Sequence, residues 1–237
     1  MISVQSGGNT IRFNTFVNSP TSHLTLRAGN DCVIYGNYFL NTEGLRIYGK
    51  RHQVYSNYFQ GNYVGVNLGN GDVDFAEGNL PNSHVRPDDC LIAFNTFVGN
   101  RTHYQMSQRS TGARGALNIT FANNLLLGGD FGVRIAGPYP GAVWTGNLLW
   151  NVTNVGDLPA EGYTKADPLL TAGPDGIRRL PSGSPAVEAA AGNFPSVAFD
   201  MDGQARPEKK TVGADEFSTT PYSSWLLTPV EVGPKAP

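Results

Sequence analysis

Eight side chains in the first third of the chain have types and spacing suited to recognising an anion. Arg27, Arg46, Lys50 and Arg51 are cationic, His23 and Tyr48 can exchange protons, and Gln5 and Asn67 offer hydrogen bonds of both senses. A guanidinium presents paired N–H donors to a carboxylate, and a lysine adds a point charge. Gln5 can orient such a ligand but has no proton to take or give near neutral pH. A solvated charge cluster without a ligand is the alternative for each cation taken singly. Grouped on one surface, they favour an anion.

That grouping depends on the elements that carry them. An Asn followed two residues later by a large apolar residue recurs at Asn14, Asn37, Asn57, Asn95, Asn124 and Asn147, at intervals of 23, 20, 38, 29 and 23 residues. Three intervals match one coil of a solenoid, and the longer two hold insertions such as Gly69 to Pro87. Short runs of period two stand ahead of each Asn (TIRF, CVIYG, HQVYS, CLIAF), and others stand earlier in each coil (ISVQS, LTLRA, LRIYG, VGVNL, GVRIA). None is long enough for a helix, and no hairpin dipeptide joins them. The pattern predicts an all-β right-handed parallel β-helix over residues 1–156, with the Asn column as an inward ladder at a tight corner.

Alternation then assigns faces. Ile2 and Val4, Leu24 and Leu26, Leu45 and Ile47, and Val64 and Val66 point inward. One outward column reads Gln5, Arg27, Tyr48 and Asn67, and the next reads Ser3, Thr25, Arg46 and Gly65. Neighbours in a column stand about 4.8 Å apart, so the groups form one patch. His23 shares the strand of Arg27, but four residues span roughly 13 Å, which places it at a groove edge.

Composition excludes several classes. The 237 residues are 40% hydrophobic with a net charge of −2, too apolar for disorder and too acidic for a globally basic nucleic-acid binder. No apolar run reaches the roughly 18 residues of a membrane span. Residues 1–156 carry ten Lys and Arg against eight Asp and Glu, and residues 157–237 carry seven against eleven, so an anion meets the first part. Cys32 and Cys90 fall in one inward column with His52 between them, about two strand spacings apart, and read as buried thiols. Residues 157–237 are turn-rich and are expected to form an irregular capping tail over the last coil. Asp200, Asp202, Asp215 and Glu216 lack the spacing of a calcium loop and read as tail-packing turns.

The segments NTIRFNTFVNSPTSHLTLRAGN, EGLRIYGKRHQVYSNYF and the late SPAVEAA and VGADE together resemble polysaccharide lyase family six, the alginate lyases and chondroitinase B. The resemblance covers nearly the whole chain, and its most specific part is LTLRAGN. It implies a secreted or periplasmic, calcium-assisted β-eliminase on a uronic-acid polymer of alginate or chondroitin/dermatan type. In that chemistry a base removes the C5 proton beside a neutralised carboxylate, and an acid serves the leaving oxygen. By resemblance Arg27 is the acid, while the family's Lys base falls on Gln5 and its frequent His on Ala28. The family's calcium-binding Glu pair would precede Met1, so calcium is expected in complete members and no cofactor or metal ligand in this chain. The expectation is an N-terminally truncated or degenerate member with weak or no activity as an isolated chain.

Tyr48 is the replacement base suggested by position, one coil from Arg27, provided that the arginines lower a phenol that ordinarily titrates near about 10. A stacking platform for a sugar ring, or a plain strand aromatic, is its other reading. Arg46, Lys50, Arg51, His23 and Asn67 are the expected substrate contacts. A lyase, a binding module that keeps the basic groove without the chemistry, and a structural β-helix segment all stay open, and Gln5 favours the second. The expected partner is an anionic polysaccharide, with neither nucleic acid nor membrane. The uncapped first coil, with Ile2, Val4 and Ile11 in its core stack, is expected to self-associate as an end-to-end dimer.

Overall fold

The computed structural model describes residues 2–74, 83–110, 113–219, 226–228 and 230–232. Among these the chain winds as a right-handed parallel β-helix with three strands per coil. The first sheet runs through Ser3–Val4, Leu24–Leu26, Leu45–Ile47, Val64–Leu68, Thr102–Met106, Phe131–Ile135 and Asn154–Gly156. The second takes Thr10–Arg12, Val33–Tyr35, Gln53–Tyr55, Leu91–Ala93, Thr120–Ala122 and Val143–Thr145. The third takes Thr15–Ser19, Tyr38–Thr42, Tyr58–Gln60, Thr96–Val98, Leu125–Leu127, Asn147–Trp150 and Tyr163–Lys165. The third strand of each coil was not foreseen. Its runs are short and fully stacked, so both faces are apolar or covered and the period-two signal is lost.

Why the coils stack is visible at the Asn ladder. The Asn57 amide donates to the Ile34 and Tyr55 carbonyls at 2.9 and 3.0 Å and to the Asn95 Oδ1 at 3.0 Å. Its own Oδ1 accepts from the Asn37 backbone N–H and side chain at 3.1 and 2.9 Å. Each rung thus satisfies groups from two neighbouring coils, and the ladder lies inward as expected. A second ladder, Thr42, Asn62 and Asn100, repeats the device at another corner. Between them Phe16, Phe39, Phe59 and Phe97 stack with centroids 4.7, 4.7 and 4.9 Å apart, each pair worth about 0.5–1.5 kcal/mol beyond its buried area.

Cys32 and Cys90 are free and buried, with His52 on the coil between them. The His52 Nδ1 accepts from the Cys32 N–H at 3.1 Å while its Nε2 donates to the Tyr48 carbonyl at 2.9 Å. Burial pushes the Cys90 thiol up to about 12, so it is an inert core group.

Two expectations are corrected. The coil passes residue 156, because Tyr163–Lys165 pairs with Asn147–Leu149 in the third sheet. The tail, in turn, runs back along the flank of the solenoid rather than only over its last coil. Ala191 exchanges two bonds with the Asn123 side chain, and Ala214 donates to Thr96 Oγ1. Ser56 donates to the Phe199 carbonyl, Tyr38 to Asp202, and Leu227 donates to Thr15 Oγ1. The tail carboxylates are spent in this packing. Asp202 receives two bonds from Arg179, Glu216 pairs with Arg206, Asp200 accepts three backbone N–H groups, and Asp215 accepts the Leu180 N–H.

Candidate functional site

The outer face of the first sheet carries the candidate residues in two columns. Register places Ser3, Thr25, Arg46, Asn67, Gln105 and Arg134 in line. Two residues further along the strands, the ladder continues from Arg27 N–H to the Val4 carbonyl, Tyr48 to Leu26 and Gly69 to Ile47. The second column is therefore Gln5, Arg27, Tyr48 and Gly69. Asn67 leaves the column it was assigned, because Val66 and Leu68, not Val64 and Val66, pair with Leu45 and Ile47. Gly69 in its place has a steric reason: a Cβ there would lie 2.0 Å from the Tyr48 ring.

Arg27 points to solvent, as expected, and Gln5 beside it is also exposed. Arg46 lies half-buried with its guanidinium 5.2 Å from the Tyr48 ring centroid, and its Nε is buried with no hydrogen-bond partner. Neither arginine side chain has an ion pair or hydrogen bond among the described residues. Tyr48 faces outward but is 4% exposed, roofed by His84 with ring centroids 4.5 Å apart. A covered phenol is no open platform for a sugar ring.

The remaining expected contacts are engaged elsewhere. Lys50 reaches Asp88 at 3.3 Å, and Arg51 holds Asp31 through two bonds of 2.7 and 2.8 Å. Both stand at the corner leading to the second sheet, with their charges neutralised. His23 lies 3.4 Å from Glu43; burial, then the nearby Arg46, lowers the imidazole, while burial raises the Glu43 carboxyl and Arg46 opposes it. Asn67 is buried and accepts from Ser107.

His84 was missed, because the Gly69–Pro87 insertion reads as an interruption of the coil. The described parts of that insertion, residues 69–74 and 83–87, pack back against the first sheet. Gly49 donates to the Val85 carbonyl, Asp72 accepts the His84 backbone N–H at 2.6 Å, and Asp72 pairs with Arg109. Asp74 bridges Arg86 and Arg114. His84 is thereby fixed over Tyr48. Burial lowers its imidazole from the usual 6.5, Arg27 adds the largest charge effect, Asp72 opposes, and Arg109 and Arg46 lower it further. Gln105 and Arg134 were also passed over, although the run GVRIA already marked the strand of Arg134.

The chondroitinase B family model matches residues 1–126, more than half of the chain. The chain belongs to the chondroitinase B family. Solved structures similar to this family member include the PL6 alginate lyase AlyGC, with a TM-score of 0.64 and 24% identity over 76% of this chain and 26% of that one. A mannuronic acid specific polysaccharide family 6 lyase from human gut microbiota aligns with a TM-score of 0.55 and 26% identity over 68% of this chain and 39% of that one. Alginate lyase AlyF-OU02, solved in complex with G6, gives 0.59 and 22% over 77% and 44%. The matched part of the chain spans 26% to 44% of the length of these relatives. No curated protein sequence matches.

The family member's described residues do not fit the calcium that the resemblance implies. Among them no three His, Cys, Asp or Glu side chains converge. Among the carboxylates beside the first sheet, Glu43, Asp72 and Asp74 already face His23, Arg109, and Arg86 with Arg114, and Asp157 accepts the Ile135 N–H.

Proposed function

We propose that the outer face of the first sheet recognises an anionic uronic-acid polymer, of alginate or chondroitin/dermatan type, at a site of β-elimination design. The observation that supports this reading is the pair Arg27 and Arg46. They sit on adjacent coils, offset by two residues along the strands and so roughly 8 Å apart between Cα atoms, face one surface, and have no internal anion among the described residues, while Lys50 and Arg51 nearby are paired. The Arg46 guanidinium, only half-buried and without an internal anion among the described residues, gains a charge-assisted bond when a carboxylate arrives. Arg46 then neutralises the uronate carboxylate, Gln5 orients it, and Arg27 is the acid for the leaving oxygen.

Gln5 favours a second reading, a binding module with little turnover, since an amide cannot accept the C5 proton. Polymannuronate, polyguluronate and dermatan sulfate, each titrated calorimetrically and assayed for the ultraviolet absorbance of the unsaturated product, separate the two. Binding of none of the three, or binding that Arg27→Ala with Arg46→Ala leaves unchanged, would refute the site itself.

A further inference from the structure

We infer that His84 is a catalytic residue of this face, the proton acceptor that Gln5 cannot be. The inference rests on the uronate reading above and adds the missing half of its chemistry. His84 stands on the solvent side of Tyr48, within the field of Arg27 and Arg46, where the C5 hydrogen of a uronate held by those arginines would be presented. Its Nδ1 is buried without a partner, which leaves Nε2 as the nitrogen that can meet a ligand. The ring is held firmly from below by the Tyr48 face, and its backbone by Asp72, itself locked to Arg109.

The groups around it set the correct charge state. Arg27 and Arg46 from the sheet and Arg109 from the loop disfavour an imidazolium, and burial adds to them; Asp72 alone opposes, and Arg109 offsets it by direct pairing. The imidazole is thus unprotonated at neutral pH and able to accept. In the step, the C5–H bond breaks and its proton passes to Nε2. The electron pair forms the C4–C5 double bond, the C4–O bond breaks, and the leaving oxygen takes a proton from Arg27. Imidazolium then returns its proton to water and Arg27 recovers one, so no oxidant, reductant or other reactant is consumed. The arrangement also gives Tyr48 a place: its ring positions that of His84.

Wild type, His84→Gln, His84→Ala and Tyr48→Phe are compared on the three polymers, with binding measured separately from product formation. The expected result is slow turnover by wild type and a loss of at least about 100-fold in His84→Gln with unchanged affinity and melting temperature. Added imidazole should restore rate to His84→Ala. The rate of wild type should rise with pH through a midpoint below 6.5 and be flat above it. Binding without turnover, turnover that His84→Gln leaves within threefold, or turnover abolished by Tyr48→Phe would overturn the role of His84 while the binding site stands. Absence of binding by wild type would overturn both.

Discussion

Two parts of this molecule concentrate arginine, and they use it in opposite ways. In the tail, the Arg206 guanidinium is completely enclosed and donates to Glu216, to the carbonyls of Thr211, Gly213 and Ala214, and to Ser56. Arg179 likewise joins Asp202 and Asp175. On the first sheet, the Arg27 and Arg46 side chains have no such partners among the described residues. Burial makes a charge costly unless the fold supplies its counter-charge, so the tail cluster is a structural clamp. A group left without an internal partner at a surface is the one available to a ligand. Pairing separates structure from site here more sharply than residue type does.

The largest expected effect breaks the clamp. Arg206→Ala strands a buried Glu216 and three carbonyls and should destabilise the chain by about 3–5 kcal/mol in urea unfolding, whereas Arg27→Ala should cost no more than about 0.5 kcal/mol. Comparable losses from the two would mean that Arg27 is a structural group.

The clamp also has a pH signature. Asp215 is pushed up to about 7, chiefly by burial, with Asp202 and Asp200 adding to it and the Leu180 N–H and Arg179 opposing. Its folded value lies above the unfolded 3.8, so the folded chain holds more protons between the two. The stabilising effect of that proton is full at and below pH 3.8 and is lost as pH rises towards 7. Asp215→Asn should flatten this limb of the stability curve and stabilise the chain at neutral pH by on the order of 2 kcal/mol. A variant with an unaltered curve would show that the carboxyl titrates alike in the folded and unfolded chain.

A smaller effect tests the open side. Arg46→Ala should weaken binding of a uronate polymer about tenfold, in line with roughly 1.5–3 kcal/mol for a hydrogen bond to a charged group, and lower its salt dependence. Arg51→Ala, whose charge Asp31 already holds, should change affinity less than about twofold. Equal losses would return Arg51 to the site.

This contrast also explains what could be read from sequence. Coil length, the Asn corner and the inward alternation are local and periodic, so Leu24, Leu45 and Asn57 declared their places. Arg27 could be placed outward because it continues the run LTL. Whether a charge is paired, however, depends on residues from other coils: Asp31 for Arg51 and Asp88 for Lys50, 20 and 38 positions away. His84 was hidden for the same reason, since its neighbours Tyr48 and Arg27 come from earlier coils and its own segment carries no repeat. Asn67 slipped by two residues because VGVNL offers two equally good inward pairs, and only the clash of a side chain at 69 with Tyr48 selects between them.

The same contrast between partnered and unpartnered groups extends to apolar surface, where the smallest effect is expected. Along the flank the tail covers Tyr38, Tyr58 and Val98 with Ile177, Met201 and Ala214. Beside the first coil, the strand edges Ser3–Val4, Thr10–Arg12 and Thr15–Ser19 have neighbours on one side only among the described residues, and Ile2 and Val17 are about half exposed at 51% and 47%. Unpaired N–H and carbonyl groups next to exposed apolar side chains favour addition of another strand. A second copy supplies matching edges, so the chain should show concentration-dependent association of modest strength in sedimentation. Val4→Lys puts a charge where Val4 now packs partly buried against the core and should shift the population towards monomer. Because a surface charge can act by plain repulsion, Gln5→Lys, on the outward face of the same strand, serves as the comparison. If both variants dissociate the pair equally, the edge is not the contact. If neither changes a monomeric wild type, the first coil is closed by its own residues.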